Sequence, residues 1–306
     1  MEDFRLTDVD GKPIQGRVLS RTYLATLFFV FLVVFSLLAW GVFQGRVEQR
    51  RALALQEATL HANTIELRLE ETMGAAYLMA GAIIQDQGRN PGLLIDSLAP
   101  QLLQQFPLAA AIQAAPKGIV RYSYPLKGHE RAIGHDLLVD PARNQEAHLA
   151  VSTGKLTLAG PFPLLQGDIG VVARFPVYLH NVDGWPKFWG FTTVLLLVPR
   201  LLEAAGVADL ERAGYRYSLC HVRDQGGCEV FAVQGAGLPV DPVNTLLKTP
   251  NGQWILAVSP ETGWWTRTEI SLLALICLVL AAAHMTLIQY LFRLRESRQR
   301  LARSAP

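Results

Sequence analysis

Two stretches of this chain contain no charged residue. Residues 22–43 read TYLATLFFVFLVVFSLLAWGVF, and residues 270–292 read ISLLALICLVLAAAHMTLIQYLF. As helices rising 1.5 Å per residue, each spans roughly 33–35 Å, against a bilayer hydrocarbon core of about 30 Å. A single lysine or arginine at the centre of such a run would cost about 2.5–3.5 kcal/mol on insertion, and neither run carries one. The first run is too long for the apolar core of a cleaved leader, and no small-residue cleavage site follows it at the right distance. The second is flanked by Trp264, Trp265 and Tyr290 and followed by a basic tail, which argues against a buried core helix. The pattern predicts transmembrane helices over 22–43 and 269–292.

Between them the pattern changes twice. Residues 44–87 contain no proline, and Ala, Leu, Glu, Gln and Arg dominate, so one long helix is predicted. Leu55, Ala58, Ala62, Ile65, Leu69, Thr72, Ala76 and Met79 fall on a seven-residue repeat along it. Such a stripe serves equally a signalling stalk paired across a dimer or a helix packed on its own domain. From residue 91 the period shortens. PLAAAIQAAPKGIVRYSYP predicts two strands about a Pro116-Lys117-Gly118 turn. A helix is expected over 141–153, with Asp140 as N-cap, Pro141 at its first position and Gly154 past its end. KLTLAGPF, IGVVARFPVYL and FWGFTTVLLLV read as strands, and Pro199 opens a short helix. YRYSLCHV, CEVFAVQG and GQWILAVS suggest a second, smaller sheet with a PNG hairpin turn. The expected organisation is an N-terminal cytoplasmic segment (1–21), membrane helix (22–43), stalk helix (44–87), distal lobe (88–204), proximal lobe (205–268), membrane helix (269–292) and basic cytoplasmic tail (293–306).

Charge supplies the orientation. The chain has 306 residues and a formal net charge of only +2, which gives no reason to expect nucleic acid. Arg293, Arg295, Arg298, Arg300 and Arg303 follow the second run, and Arg5, Lys12, Arg17 and Arg21 precede the first. The positive-inside rule therefore puts both ends in the cytoplasm. Arg46, Arg50 and Arg51 begin a long domain, which translocates largely regardless of charge. A bacterial inner-membrane protein with a periplasmic central domain is expected. Cys277 lies in the second run as a small apolar filler. Cys220 and Cys228 flank HVRDQGG, and a hairpin centred on Asp224 would set them within disulfide reach, two free thiols being the alternative.

Candidate chemistry centres on GHDLL, where His135 adjoins Asp136, with His129 and His148 nearby. Adjacent strand residues point to opposite faces, so this pair makes a poor base and orienter. No serine or cysteine stands beside it as a nucleophile. Neither catalysis, a metal site nor a cofactor is expected. Asp136 can cap a loop, pair with Arg131 or Arg143, or orient a ligand. Tyr124, Phe162, Phe175 and Tyr178 can form an apolar wall, and of these Phe162 is taken into the candidate site. Lys155 can meet an anionic ligand or neutralise the end of the preceding helix.

YPLKGHERAIGHDLL, then TGKLTLAGPF, GVVARFPVYL and FWGFTTV, occur in an order that resembles the CHASE domain. This extracellular sensory module sits between two membrane helices in bacterial diguanylate cyclases, histidine kinases and plant cytokinin receptors. The resemblance covers roughly residues 70–265. It implies an α+β fold: a long stalk helix followed by two PAS-like α/β lobes, flanked by the two transmembrane helices. It implies a ligand in the distal lobe, with Asp136 as the binding aspartate and the Leu158 backbone as a second contact ahead of Pro161-Phe162. The facing stretch is Gly167, Asp168, Ile169 and Gly170, from which Asp168 and Gly170 enter the candidate site. Two carboxylates there would suit a donor-rich or cationic ligand. No output domain is expected after the second membrane helix, so a cytoplasmic signalling partner or lipid contact by the tail is implied. The expected protein is a homodimeric sensor of an unknown small molecule. The alternatives are an envelope scaffold that binds another protein, or the receptor half of a split or truncated cyclase or kinase.

Overall fold

The computed structural model describes residues 21–141, 144–164, 168–180, 185–223, 226–234 and 237–303. The N-terminal segment as far as residue 20, and Arg143, Gly167 and Asp224, lie outside the described residues. The fold is α+β, with two helices long and apolar enough to cross a membrane flanking a sheet-rich domain in sequence.

Helix α1 (Arg21–Gln85) takes in the first uncharged run and nearly all of the long helix predicted after it. It stops two residues early because Gln87 and Gly88 take positive φ, and their N–H groups donate back to the Ile84 and Ile83 carbonyls. Helix α2 (Pro91–Gln105) was not expected from the sequence, where Gly92 and Pro100 interrupt the helical pattern. Pro91 suits the first helical position, and buried Ile95 and Ala99 hold the rest against the sheet, outweighing the hydrogen bond that Pro100 removes.

Strands β1 (Ala109–Pro116), β2 (Tyr122–Tyr124), β3 (Thr157–Pro163), β4 (Ile169–His180) and β5 (Pro186–Leu197) form an antiparallel sheet in the order β2-β1-β5-β4-β3. Helix α3 (Gln145–Thr153) starts four residues later than expected. Asn144, not Asp140, is its N-cap, while Gly154 ends it in the left-handed region as predicted. The Asp140 carboxylate lies instead against His135. Helices α4 (Val198–Ala204) and α5 (Ala208–Arg212) lead to a second antiparallel sheet. It contains β6 (Tyr215–Val222), β7 (Cys228–Gln234), β8 (Val243–Thr249) and β9 (Gly252–Pro260), in the order β7-β6-β9-β8. Strand β8 escaped the sequence reading because it is an edge strand with one buried side chain, Leu247. Cys220 and Cys228 form a disulfide, with their Cα atoms 5.4 Å apart.

The chain divides into two compact units. Residues 51–263 form one. There, Ala58, Ala62, Ile65, Leu69, Ala76 and Met79 of α1 join a single apolar cluster with residues of both sheets, and Thr72 is buried beside them. The predicted stripe thus packs on its own domain, except Leu55, which is 42% exposed. Removing side chains the size of Ile65, Leu69 and Met79 from water contributes about 1.5–3 kcal/mol each, which is why this face of the helix turns inward. Leu53, Leu60 and Leu67, also seven residues apart, remain exposed.

Residues 1–50 and 264–306 form the other unit, and within its described part α6 (Arg267–Arg303) merges the second membrane run with the basic tail. The Arg50 guanidinium donates to the Glu269 carboxylate at 2.5 Å and to the Trp264 carbonyl at 3.0 Å. The Cys277 thiol faces the Phe35 carbonyl, and His284 packs against the rings of Phe31 and Phe35 at 5.0 and 5.2 Å.

Candidate ligand-binding site

Strand alternation gives the first sheet two different faces. On β4, Val171, Ala173 and Val177 join the main apolar cluster, while Val172 and Arg174 point the other way. On β5, Val194 and Leu196 join that cluster and Leu195 opposes them. On β1, Ile112 and Ala114 are in the cluster and Gln113 faces away from it.

That second face is covered in two parts. Towards one end α3 packs tightly, with Ala147 and Ala150 against Ala115, Val120, Leu137 and Phe191. Next to it lies a cavity of about 70 Å³ beneath the segment carrying His129, Ala132, His135 and Leu137. Its floor includes Val172, Arg174, Leu195 and Gln113, and Phe162 and Leu164 close one side. A single water needs roughly 10–15 Å³ by the same measure, so this space suits a compact molecule of a few heavy atoms.

Arg174 is 1% exposed. It pairs in the ladder with Thr157 on one side and Thr193 on the other. Gln113 is committed to the scaffold: its carbonyl accepts from the Thr193 hydroxyl at 3.1 Å, and its amide nitrogen donates to Ser123 Oγ at 3.3 Å. His135 Nε2 lies 3.3 Å from Asp140 Oδ2, an ion pair when the imidazole is protonated. Burial lowers the His129 pKa below its ordinary value, against the opposing pull of the Ala110 carbonyl, so this imidazole is neutral at pH 7. No Asp or Glu is among the described residues that line the cavity. Among the described lining residues, the permanently charged side chain is Arg174.

The sequence-derived candidates fall in different places. Phe162 borders the cavity. Asp136 does not line it. Its Oδ1 accepts from the Leu138 N–H at 2.9 Å, an Asx turn within its own loop, and its backbone bridges to Ile119. Asp168 is exposed, and its carbonyl accepts from the Leu164 N–H. Gly170 acts by having no side chain: a Cβ there would lie 2.6 Å from a Leu164 methyl, so the glycine makes room for a residue that lines the cavity. Leu158 faces the main apolar cluster, because the register shift between Ala159 and Phe162 inverts the alternation along β3. Phe175 packs at a tilt against Tyr77 with ring centroids 4.7 Å apart, and Tyr178 donates to the Val151 carbonyl; neither is among the described residues that line the cavity. Lys155 is exposed. Arg174 was missed because a lone arginine inside an apolar strand carries no motif. Its signal was the breach of alternating burial on a strand too apolar to face water.

The Leu158 backbone, expected at the ligand, is occupied from within the chain. Its N–H donates to Asn251 Oδ1 at 2.6 Å, and its carbonyl accepts from Asn251 Nδ2 at 3.2 Å. The side-chain amide in the β8–β9 turn thus imitates a neighbouring strand on the β3 edge. Asn251→Ala is expected to cost about 2 kcal/mol, since two partly buried polar groups lose their partner. Amide hydrogen exchange at Leu158 should quicken accordingly. Exchange unchanged from the parent would mean that water or another group satisfies this edge.

The CHASE domain family model matches residues 50–226, more than half of the chain. That interval contains the first sheet, the cavity and the whole of β6, the first strand of the second sheet. A comparison with curated proteins finds no match.

Proposed function

Because the chain belongs to the CHASE-domain family, we propose that it is a membrane-anchored sensor whose central domain binds a small molecule and whose helices carry the response across the bilayer. The anchors are the uncharged runs of α1 and α6, set in a bacterial inner membrane with the sheet-rich domain in the periplasm. The stalk is the part of α1 after residue 43, and the two sheets are the PAS-like lobes.

The observation that carries the reading is the cavity: a walled space on one face of the central sheet, roofed by a loop and bordered by both charged and apolar groups. A domain serving only as a scaffold has no need of such a space, and native interiors otherwise fill to near-crystalline density. One α1 helix holds both an uncharged run and the buried stripe that grips the sheet domain, so a shift of the sheet against the stripe has a continuous path. A ligand moves that equilibrium only through unequal affinity for two arrangements. Leu53, Leu60 and Leu67 offer a second copy a helix face for a homodimer. The reading assigns binding rather than catalysis to the cavity, with a cytoplasmic partner to receive the message.

The test is a thermal-shift screen of small metabolites on the full chain in nanodiscs, run beside Val172→Phe, which fills the cavity floor. A ligand of this cavity should raise Tm in the parent and lose its effect in the variant. Stabilisation of equal size in both would move the binding site elsewhere.

A further inference from the structure

The connection between β7 and β8 turns apolar side chains outward. Leu238 and Val240 are 56% and 76% exposed, with Pro239 half-buried between them. Residues 230–240, VFAVQGAGLPV, contain no charge. Single apolar residues are ordinary on a protein surface, but a consecutive exposed set in an uncharged loop marks a contact.

The place of this loop in the chain identifies what it meets. The Arg51 guanidinium donates to the Asp241 carboxylate, next to Val240. Arg51 follows Phe43, the end of the first uncharged run, by eight residues on the unbroken helix α1. At 1.5 Å per residue its Cα stands about 12 Å beyond that run. Side chains on a helix lean towards its N-terminus, so the guanidinium reaches back towards the run and shortens the gap. The polar interface of a bilayer extends about 5–8 Å beyond the hydrocarbon core on each side. Asp241 therefore stands near that level, and Leu238 and Val240 follow it within three residues. Arg51 also offsets the Asp241 charge, which would otherwise oppose contact with lipid.

We propose that the Leu238–Val240 tip is a third membrane contact, its apolar side chains seated at the headgroup–acyl boundary of the periplasmic leaflet. The inference rests on the reading that the uncharged runs of α1 and α6 cross the membrane, and it assigns a lipid-binding surface to the second sheet. Lipid matches the loop because an uncharged apolar tip gains by burial and needs no specific partner group.

The experiment uses the full chain in phosphatidylcholine nanodiscs. Cys277→Ala removes the free thiol, and one cysteine is then introduced at Val240, Leu37 or Val139 and labelled with an environment-sensitive fluorophore. Leu37 lies within the first uncharged run, and Val139, 68% exposed between β2 and α3, controls for the label's own affinity for lipid. A tip seated about 5–10 Å into the boundary should be quenched by doxyl-labelled phosphatidylcholine at least about twofold more than Val139, and shielded from aqueous iodide. Leu37 should be quenched by the doxyl lipid as well. Iodide access at Val240 without lipid quenching, beside quenching at Leu37, overturns the loop contact and leaves the anchors. Shielding from both quenchers means that protein, such as a second copy, covers the tip, and also overturns the proposal. Absence of lipid quenching at Leu37 overturns the membrane reading itself.

Discussion

Alanine at position 190 should cost the folded domain about 3 kcal/mol or more, the largest loss expected from any single added methyl group here. Gly190 lies in β5 with φ +155, a backbone conformation open to glycine, opposite Pro116 of β1. A Cβ on it would stand 2.2 Å from the Ala115 carbonyl oxygen and 2.8 Å from the Pro116 Cα. Both are backbone atoms, and no rotamer change can move them. Strand β1 is hydrogen-bonded to β2 on one edge and to β5 on the other, so it cannot yield without loosening two ladders. The Lys117 N–H donates to the Trp189 carbonyl at 2.7 Å beside the contact, which ties down the turn as well. The measurement is denaturant unfolding of the full chain followed by tryptophan fluorescence. Gly81→Ala is the control: it sits on α1 with nothing within 4 Å of its Cβ position, and should be neutral or gain up to about 1 kcal/mol. Equal stability of the two variants would mean that β1 and β5 do not approach this closely.

Ile65→Ala should lose about 2–5 kcal/mol of stability while leaving self-association as it was. Ile65 is fully buried on α1, within the apolar cluster shared by both sheets. Truncating it removes the transfer free energy of three carbons and leaves a void among neighbours fixed on several elements. The same helix gives the opposite expectation one turn face away. Leu60 and Leu67 are 59% and 61% exposed, so Leu60→Glu combined with Leu67→Glu should change monomer stability little. In a homodimer built on this face, the pair would weaken association. Unfolding and light scattering, applied to both variants in nanodiscs, separate the two roles. If Ile65→Ala released monomers at unchanged stability, the buried stripe would lie between subunits rather than within one.

The sequence by itself determined the two membrane-length helices, because the absence of charge over twenty-odd residues is a local property that needs no partner to interpret. It also determined most strands of both sheets, through period-two alternation punctuated by Gly and Pro, and the order of motifs that marks the CHASE family. Strands with one buried face write that face into their composition, as β6 and β9 do, whereas β8, with Leu247 alone buried, left little to read.

Tertiary structure alone decided which way each candidate side chain points. The register shift in β3 sends Leu158 to the main core and Phe162 to the cavity, although the two are an even number of residues apart. The Asn251 amide, far away in sequence, takes up the Leu158 backbone groups. Asp136 turns on its own loop, and Arg174 is the charged side chain among the described residues that line the cavity. The seven-residue stripe on α1 was compatible with a neighbouring subunit or with its own domain, and only the packed sheets beside it distinguished them. Apolar periodicity records that a face is covered. Which surface covers it, and which charge is left facing a cavity, depends on contacts between residues that no local pattern connects.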